Sequence, residues 1–158
     1  MKILIIGAVL ALFAISAQAQ ERYSVTTGDV ALTGTGTTLT IQQPAAPIRT
    51  GNFETATVYC SVACNVTQSV NGTAATTTAG TFVPLTPTAT GSLLAAFTAS
   101  NVGAGTAIGP IVHLGAGQTV VLDLSKLILA RTAGANYSIS ISSITGTANI
   151  TVIETELP

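Results

Sequence analysis

Few side chains in this sequence can do chemistry, and their spacing narrows what that chemistry is. Cys60 and Cys64 are the two cysteines, set in Tyr59-Cys60-Ser61-Val62-Ala63-Cys64-Asn65. Were the segment extended, their Cα atoms would stand about 13 Å apart at ~3.3 Å per residue, too far to bridge. A bond between them therefore requires the chain to turn. The expectation is a structural disulfide that staples one strand to the next, contributing about 2 kcal/mol by the chain-entropy argument. The alternatives are a redox pair and metal ligation, and the second lacks histidine or acidic partners nearby.

His113 is the single histidine, in Ile111-Val112-His113-Leu114, and Asp29 and Asp123 are the two aspartates. A Ser/His/Asp mechanism would have to draw on these residues, yet no Gly-x-Ser-x-Gly elbow surrounds any serine. A lone histidine on a strand is expected to be exposed or to serve a structural hydrogen bond. Glycoside hydrolysis would need two acids converging across a cleft. Its candidates are Asp29, Glu54, Asp123, Glu154 and Glu156. Glu154 and Glu156 would share a strand face, at what reads as a frayed terminus. Asp123 lies inside an apolar strand, where it faces solvent or pairs with Lys126 or Arg131. Lys126, the one lysine beyond Lys2, is a surface amine or, alternatively, half of a Lys–Asn cross-link. The glycine-rich stretch 103–109 lacks the strand–helix setting and following lysine of a phosphate loop. No catalytic residue, cofactor or metal is expected, and the chain is not read as an enzyme.

Strands must position these residues. Residues 53–60 are β-branched and aromatic, and 119–124 read as a largely buried strand entered through a glycine turn. Tyr137, Ile139 and Ile141 alternate with serines, and after Thr145-Gly146 the period resumes at Ala148, Ile150 and Val152. That pattern predicts a hairpin with one buried and one hydroxyl-covered face. Asn71-Gly72 predicts a second hairpin with arms 65–70 and 73–78. Weaker strands are expected at 30–32, 37–42, 93–98 and 111–114. Short helical potential exists at 92–99 and 125–130, but no sustained helical stripe is present. The expected fold is all-β, an antiparallel β-sandwich or jelly roll of about eight short strands.

The N-terminal segment sets the compartment. Lys2, an apolar run over 3–15 and Ala17-Gln18-Ala19 form the three parts of a secretory signal peptide, expected over residues 1–19. Residues 20–43 are expected to be a Gly/Thr-rich arm or edge strand, pairing in cis or with a neighbour's sheet, and residues 44–158 the β-sandwich domain. The protein is thus expected to be secreted, at the cell surface or in the periplasm. No membrane span should remain after cleavage.

Charge is sparse. The 158 residues hold 5 basic and 6 acidic side chains, 7% of the chain, against ~25% in ordinary soluble domains. Without Lys2 the balance is 4 against 6, a net charge of −2. No basic patch exists to neutralise phosphates, so nucleic-acid binding is not expected. Threonine, serine and asparagine cover the polar positions, and such a surface repels its neighbours weakly.

The segments Val58-Tyr59-Cys60-Ser61-Val62-Ala63-Cys64, Asn71-Gly72-Thr73 and Ser142-Ser143-Ile144-Thr145-Gly146-Thr147 resemble a group of small exported bacterial and phage-associated β-sandwich proteins. The resemblance is one of pattern over about residues 38–155 and implies the fold without lending site residues. On composition and this likeness, the expected function is structural: an exported protein that self-associates as a homo-oligomer or polymer, as a strand-exchanging filament or surface-layer subunit does. The alternative is an extracellular module binding carbohydrate or another surface ligand without catalysis.

Overall fold

The computed structural model describes residues 20–32, 37–72, 78–87, 91–99, 105–143 and 145–157. The expected signal peptide, residues 1–19, lies outside the described residues. No helix occurs among the described residues, and none there is long and apolar enough to cross a membrane.

Among the described residues fourteen strands are formed instead of about eight. They are β1 (Glu21–Thr26), β2 (Val30–Ala31), β3 (Thr37–Gln42), β4 (Thr50–Cys60), β5 (Cys64–Val70), β6 (Thr78–Ala79) and β7 (Phe82–Pro84). The second half adds β8 (Ala95–Ala99), β9 (Thr106–Ala107), β10 (Val112–Leu114), β11 (Gln118–Asp123), β12 (Ile128–Leu129), β13 (Asn136–Ser142) and β14 (Thr147–Leu157). Several are two-residue pieces too short to carry a period-two signal, which is why the count from alternation falls low.

The strands make two antiparallel sheets packed face to face, a β-sandwich. One runs β11-β4-β14-β1-β7, with β12 also on β4 and β2 on β14. The other runs β10-β5-β13-β3-β8-β6, with β9 also on β5. Inward residues of both sheets fill one core: Val25, Phe53, Ala56, Val58, Ile150 and Val152 from the first meet Leu39, Ile41, Val66, Tyr137, Ile139 and Ile141 from the second. The rings of Phe53 and Tyr137, one from each sheet, lie 5.0 Å apart at 50°, a tilted contact of the kind aromatic pairs favour.

The described strands within residues 20–43 are not the expected arm or edge strand, and residues 33–36 of that segment lie outside the described residues. In this chain β1 lies between β14 and β7, and β3 between β13 and β8. Both are interior strands paired in cis. The small residues that weakened the strand signal at β3 are suited to its place. Thr40 and Thr38 share hydroxyl hydrogen bonds of 2.8 and 2.9 Å with Ser138 and Ser140 across the sheet, so threonine and serine hydroxyls satisfy each other in a buried place.

One expected hairpin is replaced, and the other falls largely outside the described residues. The 137–142 and 148–152 segments are strands with the expected alternation, but β13 belongs to one sheet and β14 to the other. An inward apolar face serves both halves of a sandwich, so periodicity cannot separate in-plane neighbours from strands in facing sheets. At Asn71-Gly72 the backbone does turn, with Asn71 at φ +55°. Residues 73–77 of the second arm lie outside the described residues, and Thr78 pairs with Thr98 of β8 instead of returning to β5. The turn is held by Asn136, whose Oδ1 accepts from Gly72 N at 3.0 Å and whose Nδ2 donates to Gly72 O at 2.7 Å.

Both helical segments resolve as turn and strand: 95–99 form β8, and the turn after Leu124 leads into β12.

Candidate functional site

The inward face of β14 stays apolar through Ala148, Ile150 and Val152 and then turns acidic at Glu154 and Glu156. The alternation of burial continues without a break to Leu157. The strand is therefore not frayed there, because β4 pairs it on one side and β1 on the other over its full C-terminal half. On β1 the same face carries Glu21, Tyr23 and Val25, with Glu21 opposite Glu156 and Tyr23 opposite Glu154. Three carboxyl groups thus end the core of the first sheet.

One cation serves two of them. Arg49 Nη1 bonds to Glu21 Oε2 and, at 3.3 Å, to Glu156 Oε2. Glu156, 1% exposed, also accepts from the Ser92 hydroxyl at 2.5 Å and from the backbone N–H groups of Leu93 and Leu94 at 2.9 and 3.3 Å. It anchors the segment leading into β8. Tyr23 donates its hydroxyl to Glu21 at 2.5 Å. Burial first, and then that carboxylate, push the phenol up to about 12.

Glu154 is different. It is fully buried, and neither of its carboxyl oxygens has a hydrogen-bond partner among the described residues. Desolvation first, then the negative charges of Glu156 and Glu54, push its pKa up to about 9. At neutral pH it is a neutral carboxylic acid, the form a low-dielectric site favours. Gly51 lies beside it and makes room for Leu94: a Cβ at that position would meet Glu154 Oε2 at an ordinary 3.7 Å but come within 2.9 Å of Leu94 Cδ1.

Chemically this cluster can hold a proton and tie β1, β14 and the 92–94 segment together. It is not the acid pair of a glycosidase, since Glu154 and Glu156 are closed off inside the core instead of flanking an open cleft. Glu54 lies apart from them, in a bulge of β4 between Phe53 and Thr55 that shifts the register against β14. It accepts from Arg22 at 2.6–3.0 Å and from Thr155 at 2.7 Å, and the Arg22 hydrogen bonds hold its pKa below the ordinary carboxylate range.

The remaining candidates are dispersed. His113 is exposed on β10, where its Nδ1 meets Asn65 Oδ1 at 2.6 Å, with no aspartate beside it. Asp123 is exposed at the end of β11 and accepts from Ser125 N at 3.0 Å. The Ser125 hydrogen bonds, and then Lys126, keep its carboxyl low. Asp29 accepts from Asn149 Nδ2 at 3.3 Å. Lys126 is exposed in the turn after β11. Among the described residues no group of histidine, cysteine or acidic side chains is arranged to hold a metal.

Cys60 and Cys64 form a disulfide with Cα atoms 6.4 Å apart. Cys60 ends β4 in one sheet and Cys64 begins β5 in the other, so the bond closes a crossover between sheets, and both residues are buried.

Sequence reasoning missed Glu21 and Arg49 as members of the carboxyl cluster. The available signal was the phase of the alternation, which places residues 148, 150, 152, 154 and 156 on one face. The chain matches no protein-family model, no curated protein and no solved structure.

Proposed function

We propose that this is an exported structural protein that associates with copies of itself outside the cytoplasm. The observation that carries this reading is the outer face of the first sheet. Most of its outward positions on β1, β4, β11 and β14 are small and polar, Ser24, Thr26, Thr57, Thr119, Thr151 and Thr155 among them, with Tyr59, Val121 and Ile153 between them. The charges on that side are few and of both signs: Asp123, Asp29 against Asn149, Arg131 against Thr50, and the mutually neutralised pair Arg22–Glu54. Such a face can approach a second copy without strong like-charge repulsion and with little charged surface to desolvate. The buried disulfide suits an oxidising compartment. Because β1 and β3 pair within their own chain, the association we envisage uses outer surfaces and edges, not a donated arm.

Light scattering and negative-stain microscopy on the purified protein test this. Expected are assemblies larger than one chain whose size changes little with added salt, since charge pairs are not what holds them. A monodisperse monomer at high protein concentration would sink the reading.

A ligand-binding module is the second reading. It draws on a hollow of about 510 Å³ walled by Val70 to Gly72, residues 127–130 and residues 132–137. Sugar recognition favours exposed aromatic platforms, however, and Tyr23 and Tyr137 are buried while Tyr59 is only 36% exposed. Saturable binding in a glycan screen, lost when that hollow is filled by Ala133→Trp, would favour this second reading.

A further inference from the structure

The strand edges of the sandwich are unequal. Native sheets avoid edge-to-edge association with very short edge strands or proline, and most edges here follow that rule. Strand β7 has three residues and ends in Pro84, β6 and β9 have two each, and β10 has three. Strand β11 does not follow it. Its six residues, Gln118 to Asp123, pair on one side with β4 and on the other with no strand among the described residues.

The phase of that free edge follows from one bond. Leu124 N donates to Glu54 O at 3.0 Å, continuing the register in which Leu122 faces Ala56. Even-numbered residues therefore direct their N–H and C=O groups to β4, and Thr119, Val121 and Asp123 direct theirs outward. Their side chains are exposed on the outer face, with Val121 63% exposed.

We propose that β11 pairs antiparallel with β11 of a second copy about a two-fold axis at Val121, joining two first sheets into one. This rests on the self-association proposed above and names its contact surface. Partner and register follow from the edges. Among the described residues no other edge strand is six residues long, so the partner edge taken here is β11 itself, and like edges pair isologously. Side chains directly opposite must lie on the same face, which restricts the axis to a residue. Centring it on Val121 sets Thr119 opposite Asp123, and Val120 opposite Leu122. All three outward backbone groups on each copy are then engaged. Centring on Asp123 would oppose two carboxylates, and centring on Thr119 or Val120 leaves Asp123 without a strand partner.

The test uses oxidative cross-linking and light scattering on the full mature chain. Val121→Cys places two thiols at the axis and should give a covalent dimer on mild oxidation. Thr57→Cys, exposed on the same face but in the sheet interior, should not. Val121→Lys should abolish the doubling of mass contributed by this contact. If the wild type associates but Val121→Cys forms no dimer and Val121→Lys leaves the mass unchanged, the β11 contact is overturned while self-association stands. If the wild type is monomeric throughout and Val121→Cys stays uncross-linked, both fall.

Discussion

Glu21 and Glu156 stand directly opposite each other on β1 and β14, and the guanidinium of Arg49 bonds to both. Like charges in opposed positions destabilise a strand pair, and arginine offers several donors in a fixed fork to offset them. Removing the cation leaves two acids to share a largely buried place. Arg49→Met is expected to cost on the order of 2–4 kcal/mol at pH 7. Urea titrations at pH 7 check this, and Arg49→Met with Glu21→Gln should recover part of the deficit.

Glu154 gives stability a pH dependence whose sign follows from its burial. The folded protein holds its proton up to about pH 9, whereas the unfolded chain releases it near the ordinary value of 4.5. Between these values the native state binds more protons, so the stability linked to this group is complete below about 4.5 and declines as pH rises towards 9. Glu154→Gln keeps the shape of the neutral acid and removes the titration. It should stabilise the protein at pH 7 by on the order of 3 kcal/mol and flatten the profile above pH 5. A variant whose urea midpoint falls in parallel with the wild type across pH 5–9 would contradict the assignment.

Replacing Cys60 and Cys64 together by alanine is expected to cost about 2 kcal/mol, the loop-closure value for so short a ring. Thermal unfolding of the variant beside the wild type, with and without reductant, measures it. Reductant should lower the wild-type Tm and leave that of the variant unchanged.

At the neighbouring crossover, Gly146 has φ +96°, and a Cβ there would come within 2.6 Å of Val62 Cγ2 and 2.9 Å of Ser61 Oγ. Both backbone strain and steric overlap oppose any side chain. Gly146→Ala should destabilise by about 2–3 kcal/mol, whereas Gly117→Ala, with open space around its Cβ, should cost only about 1 kcal/mol of backbone strain. Denaturant midpoints for the two variants separate these contributions.

The all-β class was legible because β4, β11, β13 and β14 carry long period-two or β-branched runs. The disulfide was legible because its four-residue spacing admits only a turn. What alternation does not encode is which inward-facing strands share a sheet, and so β13 and β14 read as a hairpin when they face each other across the core. The segment 20–43 read as peripheral because its strands are small and polar. Thr38 and Thr40 are buried all the same, their hydroxyls satisfied by serines about a hundred residues away. The carboxyl cluster was half legible. Glu154 and Glu156 lie in the buried phase of β14, but nothing near Arg49 in the chain announces a salt bridge to residues 21 and 156.

The two crossovers lie side by side. Ser61 N donates to Thr147 O at 2.9 Å and Thr147 N to Ser61 Oγ at 2.7 Å, while β4 pairs with β14 in one sheet and β5 with β13 in the other. Strands β4 and β5 with β14 and β13 therefore form one two-stranded ribbon folded over at the disulfide. Its two sides come from distant parts of the chain, Thr50 facing Leu157 and Val70 facing Tyr137. No local segment can nucleate such a ribbon, because the intervening loop must close before its contacts compensate for the lost entropy. Folding should accordingly be slow for a domain of this size, on the order of milliseconds to seconds. The newly made chain then spends that interval with its strand edges open to their surroundings.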